Sequence, residues 1–326
     1  WIAKRFARII LRHAAAYDVI HYHGHVPNVA RYIPTVINFI QTRHDQGGDC
    51  ILNTRYSRNA VCKSINPSDC ASCITKNPNL VQRTMTTIAV TRLRKEVVEG
   101  YQRHKTIFVS ELLRQNFSRT MGNGPYGSVL HNFLDLHALA HAKNTADANY
   151  PPNEIHIFIA GKLTPSKGIE PFLHEIAHRK PKHLKICIAG DGPLEKILRA
   201  EFASDDIQFL GWCRPETTLK MAAIANAIVV PSVWEDPCPT TILEGLLLGK
   251  TTFALARGGA PEMAIYASHP EQFRLHDNMR ALVDDLLNCK EFETFENRIG
   301  ARGGVDYAAE RLLQLYRSTP TRQNVD

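Results

Sequence analysis

Residues 155–172 read IHIFIAGKLTPSKGIEPF and decide the fold of the second half of the chain. The apolar run at 155–160 predicts a buried strand, and the residues after Gly168 predict the start of a helix. Lys162 and Lys167 flank the short loop between them. Backbone N–H groups at a helix start and two ammonium groups favour an anion, most often phosphate. Such a turn is also ordinary in α/β domains, so the loop alone leaves both interpretations open.

The same alternation of strand and helix continues along the chain to residue 255. Apolar runs predict further strands at 184–189, 207–210, 227–230 and 251–255, with helices near 168–178, 193–202, 215–224 and 240–248. This order is typical of an α/β domain with a doubly wound parallel sheet. Ligands of such sheets bind beyond the carboxyl ends of the strands, where the loop at 161–168 lies.

The front half is predicted to have the same character with less regular spacing. We predict helices at 1–16 and 80–103, strands at 17–23, 36–41 and 106–109, and a helix capped by Ser110. Residues 136–153 lose apolar periodicity and end in Pro151-Pro152, so we predict a linker there. The predicted divisions are an N-terminal domain at 1–150, a C-terminal domain at 151–305, a helix at 306–317 that packs back on the N-terminal domain, and a tail at 318–326.

Composition and charge limit the classes of protein. The chain has 326 residues, of which 44% are hydrophobic and 22% are charged, as expected for two globular domains. It carries neither a long apolar span nor the apolar core of a signal peptide, so we expect a cytoplasmic protein. Residues 1–150 hold 19 Lys and Arg against 9 Asp and Glu, while the remainder holds 20 against 23. The basic half favours an acidic partner, although a solvated basic face is equally compatible.

Four cysteines lie close together in a polar stretch of the front half. Cys70 and Cys73 have the two-residue spacing that lets two thiolates bind one ion, and Cys62 and Cys50 precede them. We therefore predict a candidate structural zinc site formed by the four. A loop of free thiols is the alternative, because a strong zinc signal has two such pairs.

Three acidic residues follow the strand predicted at 227–230, two of them adjacent and one further along the chain. The stretch 229–250 reads VVPSVWEDPCPTTILEGLLLGK. Pro237 and Pro239 prevent one continuous helix, so Glu235 and Asp236 are predicted in a loop and Glu244 in a helix. Carboxylates held in this way can accept hydrogen bonds from vicinal hydroxyls, on a sugar ring and on a ribose.

Two glycine-bearing loops complete the set of motifs. IAGDGPLEK at 188–196 places Gly190 and Gly192 after a predicted strand, where small residues allow a ligand to approach the backbone. RGGAPE at 257–262 places Gly258 and Gly259 before a predicted helix and offers N–H groups to an anion.

Taken in order, these motifs resemble those of a known enzyme family. They are GKL and KG at 161–168, GDGP at 190–193, FLGW at 209–212, PS at 231–232 followed by an acid, seven residues and Glu244, and GG with an acid at 258–262. The series resembles a retaining glycosyltransferase of family 4 (glycosyl transferases group 1) over residues 105–317. The resemblance implies the GT-B fold, in which two Rossmann-like domains face each other across a cleft. Because the chain begins at Trp1, we expect the first N-terminal strands of that fold to be missing.

The resemblance also implies roles for individual residues. Lys167 is expected to bind the donor diphosphate, and Glu244 is expected to bind the ribose. Lys162 stands where the family usually has arginine, which keeps the positive charge but loses the bidentate hydrogen bonding of a guanidinium group. The spacing of seven residues selects Asp236 rather than Glu235 as the acid near the sugar, in place of the usual glutamate.

The remaining site residues follow from the same resemblance. His23 is similar to the histidine that reaches the sugar from the N-terminal domain, although His21 shares its strand face. The candidate catalytic residues are thus His23, Asp236 and Glu235. The candidate donor-binding residues are Lys162, Lys167, Gly168, Gly190, Gly192, Glu244, Gly258 and Gly259.

The implied reaction is transfer of a sugar from a nucleoside diphosphate sugar (UDP- or GDP-sugar) to an acceptor hydroxyl with retention of configuration. The lysines and loop N–H groups are expected to stabilise the leaving diphosphate, so no cofactor is expected to be required for catalysis. The basic half suits a glycan or lipid-linked acceptor in surface polysaccharide or glycolipid synthesis. Peripheral contact with the anionic inner face of the cytoplasmic membrane would then be expected.

Two alternative functions are compatible with parts of the sequence. A sugar-nucleotide epimerase of GT-B fold needs similar phosphate loops, although we expect a different arrangement of acids in it. A non-catalytic binding protein would use the cysteines and the basic helix at 80–105. Nucleic acid is not the expected partner, since no basic motif with interleaved aromatics is present.

Overall fold

The computed structural model describes residues 1–122, 124, 127–147, 150–151, 153–289 and 291–317. The chain divides into two units, one formed by Trp1–His131 together with the chain from Ala309, and one formed by Asn132–Ala308. The first division therefore falls between residues 131 and 132, whereas the sequence predicted it between 150 and 151. The predicted tail at 318–326 lies outside the described residues.

The first unit contains a four-stranded parallel sheet with the order β1-β2-β5-β6. Its strands are β1 (Ile20–Tyr22), β2 (Phe39–Arg43), β5 (Lys105–Phe108) and β6 (Ser128–Val129), and β3 (Tyr56–Ser57) pairs with β4 (Ala60–Val61) in an antiparallel hairpin. Its helices are α1 (Ile2–His13), α2 (Ala71–Ile74), α3 (Leu80–Arg103) and α4 (Glu111–Met121).

Side-chain caps explain where α3 and α4 begin. The side chain of Asn79 accepts a hydrogen bond from the Gln82 backbone, and the Gln82 side chain accepts one from Asn79, which forms a capping box for α3. Ser110 accepts a hydrogen bond from Leu113 N and caps α4. Both predicted helices are confirmed.

The second unit contains a six-stranded sheet in which every pair is parallel, with the order β12-β11-β10-β7-β8-β9. Its strands are β7 (Ile155–Ala160), β8 (Leu184–Ala189), β9 (Ile207–Gly211), β10 (Ala227–Val230), β11 (Thr251–Leu255) and β12 (Phe273–His276). Its helices before the last are α5 (Leu136–Thr145), α6 (Ile169–Arg179), α7 (Glu195–Phe202), α8 (Pro215–Ile224), α9 (Thr240–Leu247) and α10 (Met279–Asn288). The doubly wound parallel sheet predicted from the sequence is confirmed.

The strand order creates a switch point between β7 and β10. Strands added after β7 extend the sheet on one side through β8 and β9, whereas β10 begins the other side. The loops that leave the carboxyl ends of β7 and β10 therefore flank the position where ligands of such sheets bind. These are the loops with Lys167 and with Glu235 and Asp236.

The predicted linker at 136–153 is wrong for most of its length, because α5 occupies Leu136–Thr145. The Asp135 side chain accepts hydrogen bonds from the backbone N–H groups of His137 and Ala138 and begins this helix. Leu139 and Ala142 are buried. Packing of this short apolar face, rather than sequence periodicity, stabilises the helix. Pro152 lies outside the described residues.

The last helix, α11 (Val305–Arg317), belongs to the first unit from Ala309 onward. The Tyr316 hydroxyl lies 2.7 Å from His21 Nδ1, and its backbone oxygen accepts a hydrogen bond from Asn38 Nδ2. Lys105 Nζ donates to the backbone oxygen of Leu315 at 2.7 Å. These bonds attach the C-terminal end of α11 beside β1, β2 and β5.

Candidate functional site

The loops that follow β7 and β8 touch along their backbones. A Cβ atom on Gly190 would lie 1.9 Å from the carbonyl oxygen of Gly161, so this contact tolerates only glycine at 190. Leu163 N donates to Asp191 O at 2.6 Å. A Cβ on Gly192 would meet Leu163 O at 2.5 Å. The two loops thus form one backbone surface at the carboxyl edge of the sheet.

The loop after β7 also packs against the loop after β10. Gly168 has φ +68°, and a Cβ there would lie 2.0 Å from the carbonyl oxygen of Pro231. Val233 N donates to Ser166 O at 3.0 Å. Lys167, at the end of one 3₁₀ turn, is thereby held beside the acidic loop.

An ion pair joins these two loops at the switch point. Lys167 Nζ lies 2.5 Å from Asp236 Oδ2, and the ammonium lies 5.5 Å from the centre of the Trp234 ring. Asp236 is only 8% exposed, whereas its neighbour Glu235 is half-buried. Of the two candidate acids, Asp236 is therefore the one paired with the lysine.

The second lysine of the β7 loop has a different environment. Lys162 is exposed, and it makes no ion pair with any residue that the structure describes. Its ammonium group is thus available to an anion. The ammonium group of Lys167 would instead have to leave Asp236, or bind Asp236 and the anion together.

The glycine pair after β11 completes this backbone surface. Gly258 has φ +62°, and a Cβ there would lie 2.4 Å from Asp236 O. Gly259 N donates to the same oxygen at 2.8 Å. The loop therefore lies directly against the residue that pairs with Lys167. The helix predicted after it is a 3₁₀ helix, Ala260–Tyr266.

Glu244 lies in α9, one turn after Thr241, whose hydroxyl lies 3.5 Å from the carbonyl oxygen at the end of β7. Residues three apart share a helix face, so Glu244 is on the face that begins at the carboxyl edge. Burial raises the pKa of Glu244 to about 7. Its carboxyl group has no hydrogen-bond partner among the described residues. Such a group gains a partner when a hydroxyl donor binds.

Four histidines of the first unit, His21, His23, His25 and His44, lie together at the ends of β1 and β2. His23 Nδ1 lies 2.9 Å from His44 Nε2, and His25 Nδ1 lies 2.7 Å from Asp45 Oδ2. His21 instead contacts Thr42 Oγ1 at 2.8 Å. His21 and His23 are therefore distinguished by their partners.

Burial sets the protonation of these rings. It lowers the pKa of His23, and burial together with the nearby His23 ring lowers the pKa of His44. Burial and the nearby rings of His23 and His44 lower the pKa of His21 to about 4. At neutral pH the rings of His21, His23 and His44 are therefore uncharged, so His23 can accept or donate a hydrogen bond without carrying a formal charge.

The four clustered cysteines line one cavity in the first unit, as free thiols. Burial raises the pKa of the Cys70 thiol, against the opposing effect of Arg94. Among the described residues, no group of three His, Cys, Asp or Glu already stands in metal-binding geometry. The sequence therefore identified residues that lie together, and whether they bind zinc stays a prediction.

Several partners of the candidate residues were not predicted. Trp234 next to Lys167, Thr42 and Tyr316 next to His21, and Arg94 beside the cysteines all come from distant parts of the chain. The WED tripeptide could have drawn attention to Trp234, since an aromatic ring beside a cation is a recurrent contact. The other pairs leave no local signal.

A family model and two relatives match parts of this chain. Residues 154–289 match the family model of glycosyl transferases group 1. A 42.6 kDa protein in the cps region of Klebsiella pneumoniae is 25% identical over 166 residues, which cover 51% of this chain and 41% of that protein. A glycosyltransferase of Methanocaldococcus jannaschii is 30% identical over 116 residues, which cover 34% of this chain and 30% of that protein. The matched stretches thus span less than half of either relative.

Solved structures are similar over nearly the whole chain. HepE of Anabaena, in complex with UDP and glucose, has a TM-score of 0.65 at 15% identity and covers 94% of this chain and 80% of its own. Sucrose-phosphate synthase of Thermosynechococcus elongatus has a TM-score of 0.63 at 18% identity and covers 96% of this chain and 76% of its own. The fold is therefore GT-B, with two Rossmann-like units, and the family match supports a glycosyltransferase. None of the described helices is long and apolar enough to cross a membrane.

Proposed function

We propose that this protein is a retaining glycosyltransferase of family 4 that takes a sugar from a nucleoside diphosphate sugar. The observation that carries the proposal is the Lys167–Asp236 pair at the switch point, enclosed by three glycine-bearing loops. Those loops lie within the residues that match the glycosyltransferase model. Because HepE has been solved with UDP and with UDP-glucose, UDP-sugars are the first donors to test, before GDP-sugars.

Each side chain has a defined task in this proposal. Lys162 and Lys167 neutralise the diphosphate, and the N–H groups beside Gly258 add hydrogen bonds as charge grows on the leaving group. Glu244 accepts hydrogen bonds from the ribose hydroxyls, and Asp236 or Glu235 accepts them from the sugar. His23 is proposed to contribute an uncharged ring to sugar recognition. Retention needs no protein nucleophile when the acceptor attacks from the face that the diphosphate leaves.

Calorimetric titration with UDP-, GDP- and ADP-sugars tests the donor site. We expect one base to be selected and the affinity to rise between about pH 6 and about pH 8, as the carboxyl group of Glu244 ionises. Glu244→Gln should bind about 10-fold more weakly at about pH 8 and lose the pH dependence, because an amide offers one acceptor instead of two. Absence of binding to all three sugar nucleotides would overturn the proposal.

Product analysis separates transfer from epimerisation. With an acceptor present, NMR of the product should show the anomeric configuration of the donor. Conversion of the donor sugar without acceptor would instead favour the epimerase.

The acceptor is proposed to be a glycan or lipid-linked saccharide of surface polysaccharide or glycolipid synthesis, reached at the inner face of the cytoplasmic membrane. The relative from a cps region is consistent with this role. The structure adds a surface suited to anionic lipid. The start of α3 exposes Val81, Met85 and Ile88, which are 64%, 66% and 64% exposed and follow one another at helical spacing.

Charges around this apolar stripe have one sign. Lys76, Arg83 and Arg92 are exposed near it, and the sequence from 70 to 95 contains no Asp or Glu. Arg92 pairs with Glu96 at 3.2 Å, which leaves Lys76 and Arg83 as the basic side chains for anionic lipid. Apolar and basic side chains together fit the boundary between headgroups and acyl chains of an anionic membrane.

Vesicle flotation tests this surface. Binding to phosphatidylglycerol vesicles at low salt should fall about 10-fold in Ile88→Glu. The new carboxylate would replace an apolar side chain that is proposed to insert into the membrane, and it would repel the anionic lipid. Ile197→Glu is the matched control, since Ile197 is 57% exposed on α7 of the other unit, and its binding should be unchanged. Equal loss in both variants, or no binding by the wild type, would contradict the membrane surface. Loss of self-association in Ile88→Glu without an effect on vesicle binding would also contradict it and indicate a second copy.

A further inference from the structure

The cysteine-bearing segment of the first unit forms a cavity that the proposed reaction does not use. The cavity has a volume of about 40 Å³, and the side chains of Cys50, Cys62, Cys70 and Cys73 line it. None of the four forms a disulfide. A volume several times that needed by one water molecule, about 10–15 Å³, leaves room for an ion and for sulfur atoms moving inward.

Two buried guanidinium groups border the same cavity. Arg55 is 2% exposed and pairs with Asp49 at 2.9 Å, and Arg94 is 8% exposed. Arg94 donates from its terminal nitrogens to the backbone oxygens of Ile65 and Asp49, but its buried Nε has no partner in the structure. Asp49 and Asp69 also line the cavity, so its two arginines and two aspartates balance in charge while the four thiols are neutral. The unpartnered Nε–H of Arg94 is nevertheless a buried donor, and such a donor favours an acceptor such as a thiolate sulfur.

A zinc ion bound by four thiolates carries a net charge of −2, and the guanidinium groups of Arg55 and Arg94 beside the cavity offset part of it. Backbone geometry already favours a thiolate at one position, since Arg55 N donates to Cys50 Sγ at 3.3 Å. The intervening chain is also tightly turned. Asn53, Arg55, Arg58 and Asn59 all have left-handed backbone conformations, with φ between 49° and 60°. Non-glycine residues adopt this conformation at a cost that other interactions must offset.

We propose that Cys50, Cys62, Cys70 and Cys73 bind one structural zinc ion, with Arg55 and Arg94 compensating the charge of the thiolates. The sulfur atoms do not yet stand at ligand distances, so binding draws them toward the centre of the cavity. Each thiol releases its proton to solvent when its sulfur binds the metal. The ion would fasten the hairpin β3–β4 and α2 to the buried side of α3, which carries Arg94. This inference does not depend on the glycosyltransferase activity.

Metal analysis of the purified full chain tests the site. We expect about one zinc per chain by mass spectrometry, and less than about 0.2 in Cys70→Ser or Cys73→Ser. Cys213→Ser is the matched control and should keep its zinc, because this half-buried thiol lies in the other unit.

A second measurement on the wild type keeps the test independent of how the variants fold. Cobalt(II) added to metal-free protein should give the sulfur-to-cobalt absorption of a tetrahedral thiolate site, and zinc should displace it. Zinc-free protein without a cobalt–thiolate band would overturn the proposal. A disulfide between two of the four cysteines in freshly purified protein would overturn it as well.

Discussion

Lys167→Ala is expected to weaken binding of the donor sugar nucleotide about 100-fold. The variant removes the ammonium group that the loop geometry holds at the switch point. It also leaves the carboxylate of Asp236, only 8% exposed, without its ionic partner at the place where the diphosphate is proposed to bind. Loss of a charged contact and repulsion by the stranded carboxylate together cost about 3 kcal/mol. Calorimetric titration of the variant with the selected sugar nucleotide measures the change.

Lys185→Ala is the control for this variant. Lys185 Nζ pairs with Asp206 at 2.7 Å in the same unit, but that aspartate is 63% exposed, so its loss should change donor affinity by less than about twofold. The double variant Lys167→Ala with Asp236→Asn separates the two causes, because it removes the stranded charge. If the double variant recovers part of the lost affinity, the loss that remains is due to the missing ammonium group. Unchanged affinity in Lys167→Ala would contradict the assignment of Lys167 to the diphosphate.

The regular part of the fold could be predicted because its signals are local. Ile155–Ala160 and Leu184–Ala189 are apolar runs bounded by turn residues, and the structure has strands at those positions. The predicted cap at Ser110 is likewise confirmed. In contrast, α5 and β12 were missed. Each is short, so its stability depends on tertiary packing that one sequence window does not contain.

The site was predictable in its members but not in its pairings. The spacing of the glycines, together with Pro237 and Pro239, identified the loops, because the backbone geometry of each loop depends on residues close in sequence. The contact of Lys167 with Asp236 joins positions 69 residues apart. It requires β10 to lie beside β7, and the sequence does not state the strand order. The same limit applies to Arg94 beside Cys70, where α3 and the cysteine segment meet only in the folded unit.

Gly190→Ala is expected to destabilise the second unit by about 3 kcal/mol or more. The residue has φ +142°, and its new Cβ would lie 1.9 Å from the backbone oxygen of Gly161. Because the obstacle is backbone and not a flexible side chain, the loops after β7 and β8 must separate. Urea unfolding followed by tryptophan fluorescence measures the shift, since Trp212 and Trp234 both lie in this unit.

Gly211→Ala distinguishes steric exclusion from backbone strain. Gly211 also has a left-handed backbone, φ +72°, but the nearest atom to an added Cβ is Glu195 Oε1 at 3.8 Å. Its alanine variant should therefore lose only about 1 kcal/mol, the conformational part of the cost. The donor site gives an independent readout, because separation of the two loops in Gly190→Ala displaces Lys162 and Lys167 relative to the loop of Gly192. Equal destabilisation of the two variants would mean that backbone conformation, and not the close approach to Gly161, requires glycine at position 190.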